Sequence, residues 1–454
     1  MVKKMNKKFL LALSPVLFLG LNARAETIFE AMSSAYNTNP VLHGERAASG
    51  AVNEDAAAAR SGFRPTMALQ GSYTDSHSKA SRTPTVDGYS KRYGGVVSQP
   101  IFNGFSTYNS VKAADNSAKA ELHNLYSVEQ DILLAASTAY LDVVRDEAIV
   151  KLQKNNEKLL KKQLDETLAR FDVGEVTRTD VAQSRASYAQ ARSEVVSAEG
   201  VLAISRANYE DIVGHFPEKV AFPKNLSERF PTNFADALRY AEENNYSLRA
   251  AKKALKAAEY NVNSKTGGLL PEISFNASNF KREGSAGALQ NANGRSTEYT
   301  LDMNVPLYTA GATRAAIRKS KYQRWQAEEN LRAAQDGVKL GVTSGWEMME
   351  TSKANIDSIR EQVKASAIAL EGTQKEEALG NRTVLDVLNA YQALLISRVS
   401  EVTARHDYYV SGLQLLQAMG KLTAAQLGLE VEYYDAKEHY YNTRGKWLSL
   451  SIDD

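Results

Sequence analysis

Proline is confined to parts of this chain, and its distribution limits what the rest can form. No proline occurs between Pro100 and Pro217, or between Pro306 and the C-terminus. Proline costs about 3 kcal/mol inside a helix, and both proline-free stretches are rich in Ala, Glu, Lys, Gln, Leu and Arg. The sequence therefore predicts long helices in both stretches. One of them, from about 106 to 171, would be roughly 100 Å long at 1.5 Å per residue.

Apolar residues recur at multiples of seven within each stretch, interrupted at Glu157. The members of these series are Val143, Val150, Leu164 and Phe171; Val181, Tyr188, Val195, Leu202 and Tyr209; Val342, Met349, Ile356, Val363 and Leu370; and Leu388, Leu395, Val402, Tyr409 and Leu416. A seven-residue repeat keeps one seam against a partner helix and implies left-handed coiling. Each stretch is broken once, near Gly174 and near Gly380, and glycine commonly ends helices. We therefore expect one helical hairpin in each stretch.

Other segments alternate with a period of two, as expected for strands that have one apolar and one polar face. Residues 299–307 show this alternation most clearly, and a weaker partner runs from 273 to 278. A polar loop is expected between them at about 284–295. In the first half, 67–74 alternates in the same way, and a strand is expected around 93–102. The sequence thus predicts four strands in two hairpins.

The two halves of the chain share one register. Pairs that lie 206 residues apart are Pro65 and Pro271, Pro100 and Pro306, Gly174 and Gly380, and Asn39 and Asn245. We interpret this as a tandem repeat of about 206 residues, with the order helix, strand, strand, helix, helix in each copy. The phrases QPIFNGF and VPLYTAG would then mark equivalent points where a strand ends and a long helix begins. The junction residues are Pro100, Gly104, Pro306 and Gly311.

The N-terminal segment has the features of a secretory signal peptide. Four lysines precede an apolar run from Phe9 to Leu21, and Ala23-Arg24-Ala25 follows. This pattern predicts cleavage after Ala25, with an uncleaved anchor as the alternative. Removing the five basic residues of this segment takes the formal net charge from +2 to −3. A chain of that charge lacks the basic surface expected of a nucleic-acid-binding protein.

The sequence lacks the residues that several classes of chemistry require. The chain has no cysteine, which excludes disulfides, thiol catalysis and an N-terminal lipid anchor. No later apolar run is long enough for a spanning helix, so entry into a membrane would require strands. The six histidines show no metal-binding spacing, and no nucleotide-binding or nucleophile motif occurs. The sequence therefore predicts no catalytic residue, metal site or cofactor.

The predicted strands need other chains to form a complete sheet. Four strands cannot close a barrel, and an open sheet edge is not tolerated in lipid. Several chains could close a shared barrel, and three chains would supply twelve strands. Aromatic residues near the strand ends would suit the interfacial girdle of such a barrel, although ordinary packing is the alternative. These residues are Tyr73, Tyr93, Phe102, Phe280, Tyr299 and Tyr308.

Two segments carry a family resemblance, namely RFDVGEVTRTDVAQSRASY from Arg170 and EALGNRTVLDVLNAYQAL from Glu377. Together with the junction phrases, they resemble the TolC-like family of outer-membrane efflux and type I secretion channels. The resemblance extends through about Leu422. It implies an α+β membrane protein, in which a homotrimer forms a twelve-stranded outer-membrane β-barrel with four strands per chain. The barrel would be continuous with a long periplasmic α-helical coiled-coil barrel.

The expected organisation has five parts. They are a signal peptide at 1–25, a first repeat at 26–213, a linker at 214–231, a second repeat at 232–420 and a C-terminal tail at 421–454. The resemblance implies that the linker and the tail form an equatorial belt around the helices, with a partly disordered tail as the alternative.

The resemblance also implies a function and a set of partners. The chain would be a passive exit duct for efflux substrates or secreted polypeptides, within a tripartite efflux pump or a type I secretion system. Its partners would be two further copies of itself, a periplasmic adaptor (membrane fusion protein), an inner-membrane transporter of the RND, ABC or MFS type, and outer-membrane lipid. The alternative is a soluble periplasmic coiled-coil adaptor or scaffold. The duplicated hairpins with a lipid-suited alternation favour the channel.

The family closes its pore at the helix turns, here near Gly174 and Gly380. The resemblance implies that Arg382 bonds to Thr179 and Asp180 of a neighbouring protomer and so latches the closed state. Capping of the helix start is the alternative role for Thr179 and Asp180.

The pore constriction is also identified by resemblance. Asp386 matches an acidic ring that would favour cations, with a solvated helix face as the alternative. This chain departs from the family pattern at Asn389, where a second aspartate is expected, and the change weakens the ring. It departs again at Glu377, where a tyrosine is expected. One latch within the protomer would therefore be absent or electrostatically altered.

Overall fold

The computed structural model describes residues 26–78, 86–286 and 293–452. The predicted signal peptide lies outside the described residues. The first half contains α1 (Ile28–Thr38), α2 (Pro40–Ser61), β1 (Thr66–Ser78), β2 (Val86–Asn103), α3 (Ser106–Asp172) and α4 (Arg178–Val213). The second half contains α5 (Phe234–Asn244), α6 (Tyr246–Gly267), β3 (Glu272–Ala286), β4 (Gly294–Asn304), α7 (Ala312–Ala378) and α8 (Val384–Ala418). The tail adds α9 (Ala424–Leu427) and α10 (Ala436–Thr443).

The second half repeats the elements of the first at an offset of 206 residues. The long helices α3 and α7 have 67 residues each and begin and end at equivalent positions, so each is about 100 Å long. One part of the predicted order is wrong, because two helices rather than one precede each pair of strands. Asn39 ends α1 and caps α2, and Pro40 occupies its first position. Asn245 does the same between α5 and α6. Asparagine at the N-cap favours such a break, as does proline at the first helical position.

The two strand–helix junctions differ in where the strand ends relative to its proline. β2 continues to Asn103, one residue beyond the end predicted near 102, and it shifts register against β3 between Pro100 and Phe102. Proline has no N–H to give to the ladder, and a bulge accommodates it. β4 instead ends at Asn304, before Pro306. The predicted loop at 284–295 is also too long, since β3 extends to Ala286 and β4 begins at Gly294.

Both junctions place two consecutive residues in the left-handed region just before the long helix. In the first, Gly104 has φ +62° and Phe105 has φ +60°. In the second, Ala310 has φ +49° and Gly311 has φ +86°. The turn is therefore the same in the two halves, although the glycine occupies a different one of its two positions.

The four strands form one antiparallel sheet in the order β1-β2-β3-β4. The register places a group of apolar residues on one face, and these are Met67, Leu69, Val97, Phe275, Ala277, Tyr299, Leu301 and Met303. Leu69 is 93% exposed and Leu301 is 70% exposed within the single chain. The opposite face is polar, with Ser98, Asn276 and Thr300 in one row. Phe280 lies on this polar face, whereas Tyr73, Tyr93 and Tyr299 lie on the apolar face, so Phe280 cannot share one aromatic girdle with them.

The helices pack along the predicted seams. Buried seam residues include Val143, Val150, Val195, Leu202, Tyr209, Val342, Met349, Ile356, Leu370, Leu388, Leu395 and Leu416. Phe171 departs from the prediction, since it is 40% exposed at the end of α3. No helix in the three described ranges has an 18-residue window apolar enough to cross a membrane.

The linker and the tail both lie against the long helices. The Tyr140 hydroxyl of α3 donates to the carbonyl of Ala221 at 2.9 Å, and Tyr409 of α8 donates to that of Pro223 at 2.8 Å. In the tail, the N–H of Ala424 donates to the carboxylate of the buried Glu129 at 2.7 Å. These bonds hold the segments that follow each repeat against the helical bundle.

Candidate gate at the helical hairpin tips

The turns that end α3 and α7 have the same backbone. Gly174 has φ +83° and Gly380 has φ +79°, a region that L-residues with side chains rarely occupy. A Cβ atom at either position would meet nothing within 4 Å, so the need for glycine comes from the backbone angle alone. The N–H of each glycine donates to the carbonyl three residues earlier, at 3.0 Å in the first turn and 2.9 Å in the second.

The following helices begin with equivalent capping boxes. Thr177 caps α4, and its N–H and hydroxyl donate to Asp180 Oδ2 at 2.8 and 2.7 Å. Thr383 caps α8 and donates to Asp386 Oδ2 at 2.9 and 2.8 Å. The capping alternative therefore applies to Asp180, as the third helical residue. Thr179 is exposed and is not the capping residue.

The same bonds determine the charge of Asp386. The Thr383 backbone N–H, followed by its hydroxyl, holds the pKa of the Asp386 carboxyl below its ordinary value because these bonds favour the ionised form. Asp386 is therefore a carboxylate at neutral pH. Asn389, one helical turn later, is exposed and lines a groove together with Leu385 and Gln392 of α8.

Arg382 forms an ion pair within its own hairpin. Its Nε lies 2.9 Å from Glu376 Oε2, and both side chains are about half exposed. The hydrogen bond to Glu376 raises the pKa of Arg382. Within the single chain, the partner of Arg382 is thus Glu376, and Asp180 is occupied by Thr177.

Glu377 connects the two hairpins. It forms an ion pair with Arg170 at the end of α3, and its side chain is only 11% exposed. Arg170 also lies 3.3 Å from Glu175 in its own turn, and the bond to Glu377 raises the pKa of Arg170. The structure thus gives Glu377 an electrostatic contact between hairpins within one chain. Sequence reasoning noted the unusual Glu377 but did not identify Arg170 as its partner.

An apolar cluster lies behind the second tip. Its buried members are Leu160, Ala191, Leu370, Val384, Val387, Leu388, Tyr391 and Leu394. Gln374 donates to the Tyr391 hydroxyl at 2.6 Å. The first hairpin has a smaller polar contact at this level, between the buried hydroxyls of Thr167 and Ser184 at 3.3 Å. The cluster includes Leu160 and Ala191 of the first hairpin, so it joins the two hairpins.

Comparison with known proteins supports this architecture. The model of the family described as "Outer membrane efflux protein" matches residues 31–215 and again 237–421. Outer membrane efflux protein BepC of Brucella suis biovar 1 (strain 1330) is 36% identical over 443 residues, covering 97% of this chain and 96% of that protein. Outer membrane protein TolC of Escherichia coli (strain K12) is 25% identical over 417 residues, covering 89% and 84%.

The fold is also similar to a solved outer-membrane channel. The CmeC outer membrane channel of Campylobacter jejuni superimposes with a TM-score of 0.79 at 14% sequence identity, covering 92% of this chain and 89% of that one. These relatives are outer-membrane channels, so the alternative of a soluble periplasmic adaptor is not favoured. The chain therefore belongs to the outer membrane efflux protein family, and it lies in the outer membrane with a large periplasmic portion.

Proposed function

We propose that three copies of this chain form one continuous exit duct across the outer membrane and the periplasm. The observation that carries this proposal is the four-stranded sheet, which has a bare apolar face and two unpaired edge strands, β1 and β4. In lipid, the backbone groups of each edge strand must form hydrogen bonds with another strand. Pairing β4 of one copy with β1 of the next would close a barrel of twelve strands in three copies, with the polar face lining the lumen.

The helices extend the same duct. Because α3 and α7 follow directly from the strands, three copies would continue the barrel as a helical tunnel about 100 Å long. The linker and the tail, held against α3 and α8, would form a belt around it. The duct would act as a passive conduit rather than an enzyme, for efflux substrates or secreted polypeptides. A periplasmic adaptor and an inner-membrane transporter would deliver the cargo, and the transporter would supply the energy.

The hairpin tips would gate this duct. Both capping bonds of Asp180 go to Oδ2, and no donor among the described residues bonds its Oδ1. Arg382 is exposed, and within the described residues its ion pair is with Glu376. In the trimer, Arg382 would exchange Glu376 for Asp180 and Thr179 of the neighbouring protomer. The Asp386 carboxylates of three copies would form an acidic ring that favours cations, with Asn389 beside them.

The test is planar-bilayer conductance of the detergent-purified protein, with Arg382→Ser compared with the native form. Arg332→Ser is the matched control, because Arg332 is an exposed α7 arginine paired with Glu329 far from the tips. We expect discrete cation-preferring steps that are larger in Arg382→Ser alone. Unchanged steps in that variant would contradict the latch and leave the duct standing. A soluble monomer without conductance would contradict the duct itself.

A further inference from the structure

The two faces of the sheet arrange their charges differently. On the apolar face, charges at the end far from the helices lie beside charges of opposite sign. Lys281 Nζ lies 2.6 Å from Glu283 Oε1, and His77 Nδ1 lies 2.7 Å from Asp87 Oδ1. Such pairs neutralise each other locally, so this end of the apolar face presents little net charge.

The polar face places like charges together at the same level. Arg92 of β2 and Arg282 of β3 are directly opposite in the ladder. Neither forms an ion pair with any residue in the described ranges. Like charges directly opposite each other destabilise a sheet. Two unneutralised arginines in one row therefore need a reason other than the stability of the single chain.

Arg92 is held in place by a built contact. Its guanidinium carbon lies 3.6 Å from the centroid of the Phe280 ring, which is a cation–π geometry. Phe280 is only 7% exposed and lies opposite Gly94. A Cβ atom at Gly94 would come within 2.7 Å of Phe280 Cδ1 and 2.0 Å of the Asn279 carbonyl oxygen. Glycine at this position leaves room for the ring beneath the guanidinium.

The charges of the polar face are also separated by sign along the strands. Glu298 lies opposite Ser278, four residues from Arg282 toward the helices, or about 13 Å at the rise of a strand. Asp302 lies opposite Ser274, about 27 Å from Arg282 by the same measure, and accepts a bond from Asn276 at 2.6 Å. The acidic residues thus lie toward the helices, and the arginines lie toward the opposite end.

We propose that Arg92 and Arg282 of three copies form a basic ring in the lumen at the outer mouth of the duct, and that this ring attracts anions there. The inference rests on the proposed duct, in which the polar face lines the lumen. A ring of one sign in a narrow pore concentrates ions of the opposite sign. Its sign is opposite to that of the Asp386 ring at the tips. The ring therefore assists small anions and the carboxylate or phosphate groups of cargo at the last step of exit.

The experiment measures reversal potentials of single channels under a KCl gradient near 0.1 M, where the Debye length is about 10 Å. The variant is Arg92→Gln/Arg282→Gln. The matched control is Lys91→Gln/Lys281→Gln, which removes the same charge from adjacent positions on the apolar face. We expect the potassium-to-chloride permeability ratio to rise at least about twofold in the arginine variant and to stay unchanged in the control. The rise should nearly vanish at 1 M salt, where the Debye length is about 3 Å.

A second variant distinguishes the loss of charge from a folding defect. Arg282→Gln alone leaves the stack of Arg92 on Phe280 intact and should give about half of the shift on a logarithmic scale. Equal shifts in the arginine and lysine variants, or no shift in channels of native conductance, would overturn the ring while leaving the duct in place. Native protein that forms no channel would overturn the duct, and the ring with it.

Discussion

The two hairpin tips share a backbone but differ in what their helix starts contact. Equivalent positions are Arg178 and Val384, Ala182 and Leu388, and Arg185 and Tyr391. The three residues of the first tip are exposed, whereas the three of the second are buried. Turn geometry and capping are thus repeated, while the side chains on the equivalent faces of α4 and α8 have diverged.

The position of each helix in the bundle explains the difference. α8 packs against both α7 and α3 of the same chain, whereas α4 packs chiefly against α3. By the internal repeat, the face of α4 that corresponds to the buried face of α8 would meet α7 of a neighbouring copy. The seam within a chain is therefore apolar, whereas in the proposed trimer the seam between chains would carry Arg178 and Arg185. Exposed charged contacts are screened by salt, so in the proposed trimer the seam between chains would be the one that parts during opening.

The largest expected effect comes from the apolar seam. Leu388→Ala removes a side chain that is 5% exposed in the cluster joining the hairpins, and such changes cost about 2–5 kcal/mol. Arg185→Ala, at the first tip, should change the free energy of unfolding by about 0.5 kcal/mol or less. Unfolding in detergent, followed by helical circular dichroism, measures both. Equal losses would contradict the assignment of the apolar seam to the interior of one chain.

The shared backbone predicts a second, smaller pair of effects. Gly174→Ala and Gly380→Ala both force a Cβ into the left-handed region, at about 1–2 kcal/mol each. Since neither position has a neighbour within 4 Å, the two losses of stability should agree within about 0.5 kcal/mol. Denaturant titration of the two variants in parallel checks this. A much larger loss at one tip would show that the turns are not equivalent in the assembled protein.

The ion pairs of the tips predict opposite changes in conductance. Glu377→Gln weakens the contact between hairpins through Arg170, so it should raise the open fraction by at most about fivefold, because such a pair contributes about 1 kcal/mol or less. Glu376→Gln releases Arg382 for the proposed contact with Asp180 of the neighbour and should lower the open fraction. Single-channel recording of both variants tests the contrast. Changes in the same direction would show that these two pairs do not act on separate seams.

The smallest effect concerns pH and the seam between α3 and α8. His406 lies 3.0 Å from Asp142 and 2.9 Å from Asp407, with Arg145 beside Asp142. Burial lowers the pKa of His406, but the adjacent carboxylates of Asp142 and Asp407 outweigh this effect, and its pKa is raised overall. The charged form therefore stabilises the fold fully below about pH 6.5, and this contribution is lost as pH rises through the raised pKa.

Comparison with a variant isolates the contribution of His406 to the stability of the fold. The midpoint of thermal unfolding of the native protein, relative to His406→Gln, should be higher at pH 6 than at pH 8.5 by about 1–2 °C. The equivalent position in α4 is Gly200, so the first hairpin has no counterpart of His406 at that position. A difference that grows with rising pH would contradict the assigned direction.

The features that sequence predicted well are those that depend on local patterns. The exclusion of proline and the seven-residue repeat gave the bounds of α3 to within one residue, since both act along one helix. The capping boxes at Thr177 and Thr383 follow the pattern T-x-x-D, but the capping alternative raised from the sequence named Thr179 and Asp180 and overlooked both threonines. The contact of Arg170 with Glu377 was not predictable in this way, because these residues are 207 positions apart and the contact depends on how their two hairpins come together. The bulge at Pro100 likewise depends on β3 as its neighbour.

The unpaired strands β1 and β4 have a genetic consequence. A chain whose β4 edge cannot pair would still offer a normal β1 edge, and it would therefore enter mixed assemblies instead of being left out. If defective and normal chains are made in equal amounts and mix at random, only about one eighth of the proposed three-chain ducts would contain normal chains alone. A defect at one edge should thus be dominant: cells that carry one normal and one defective copy of the gene should have only about one eighth of their ducts fully normal.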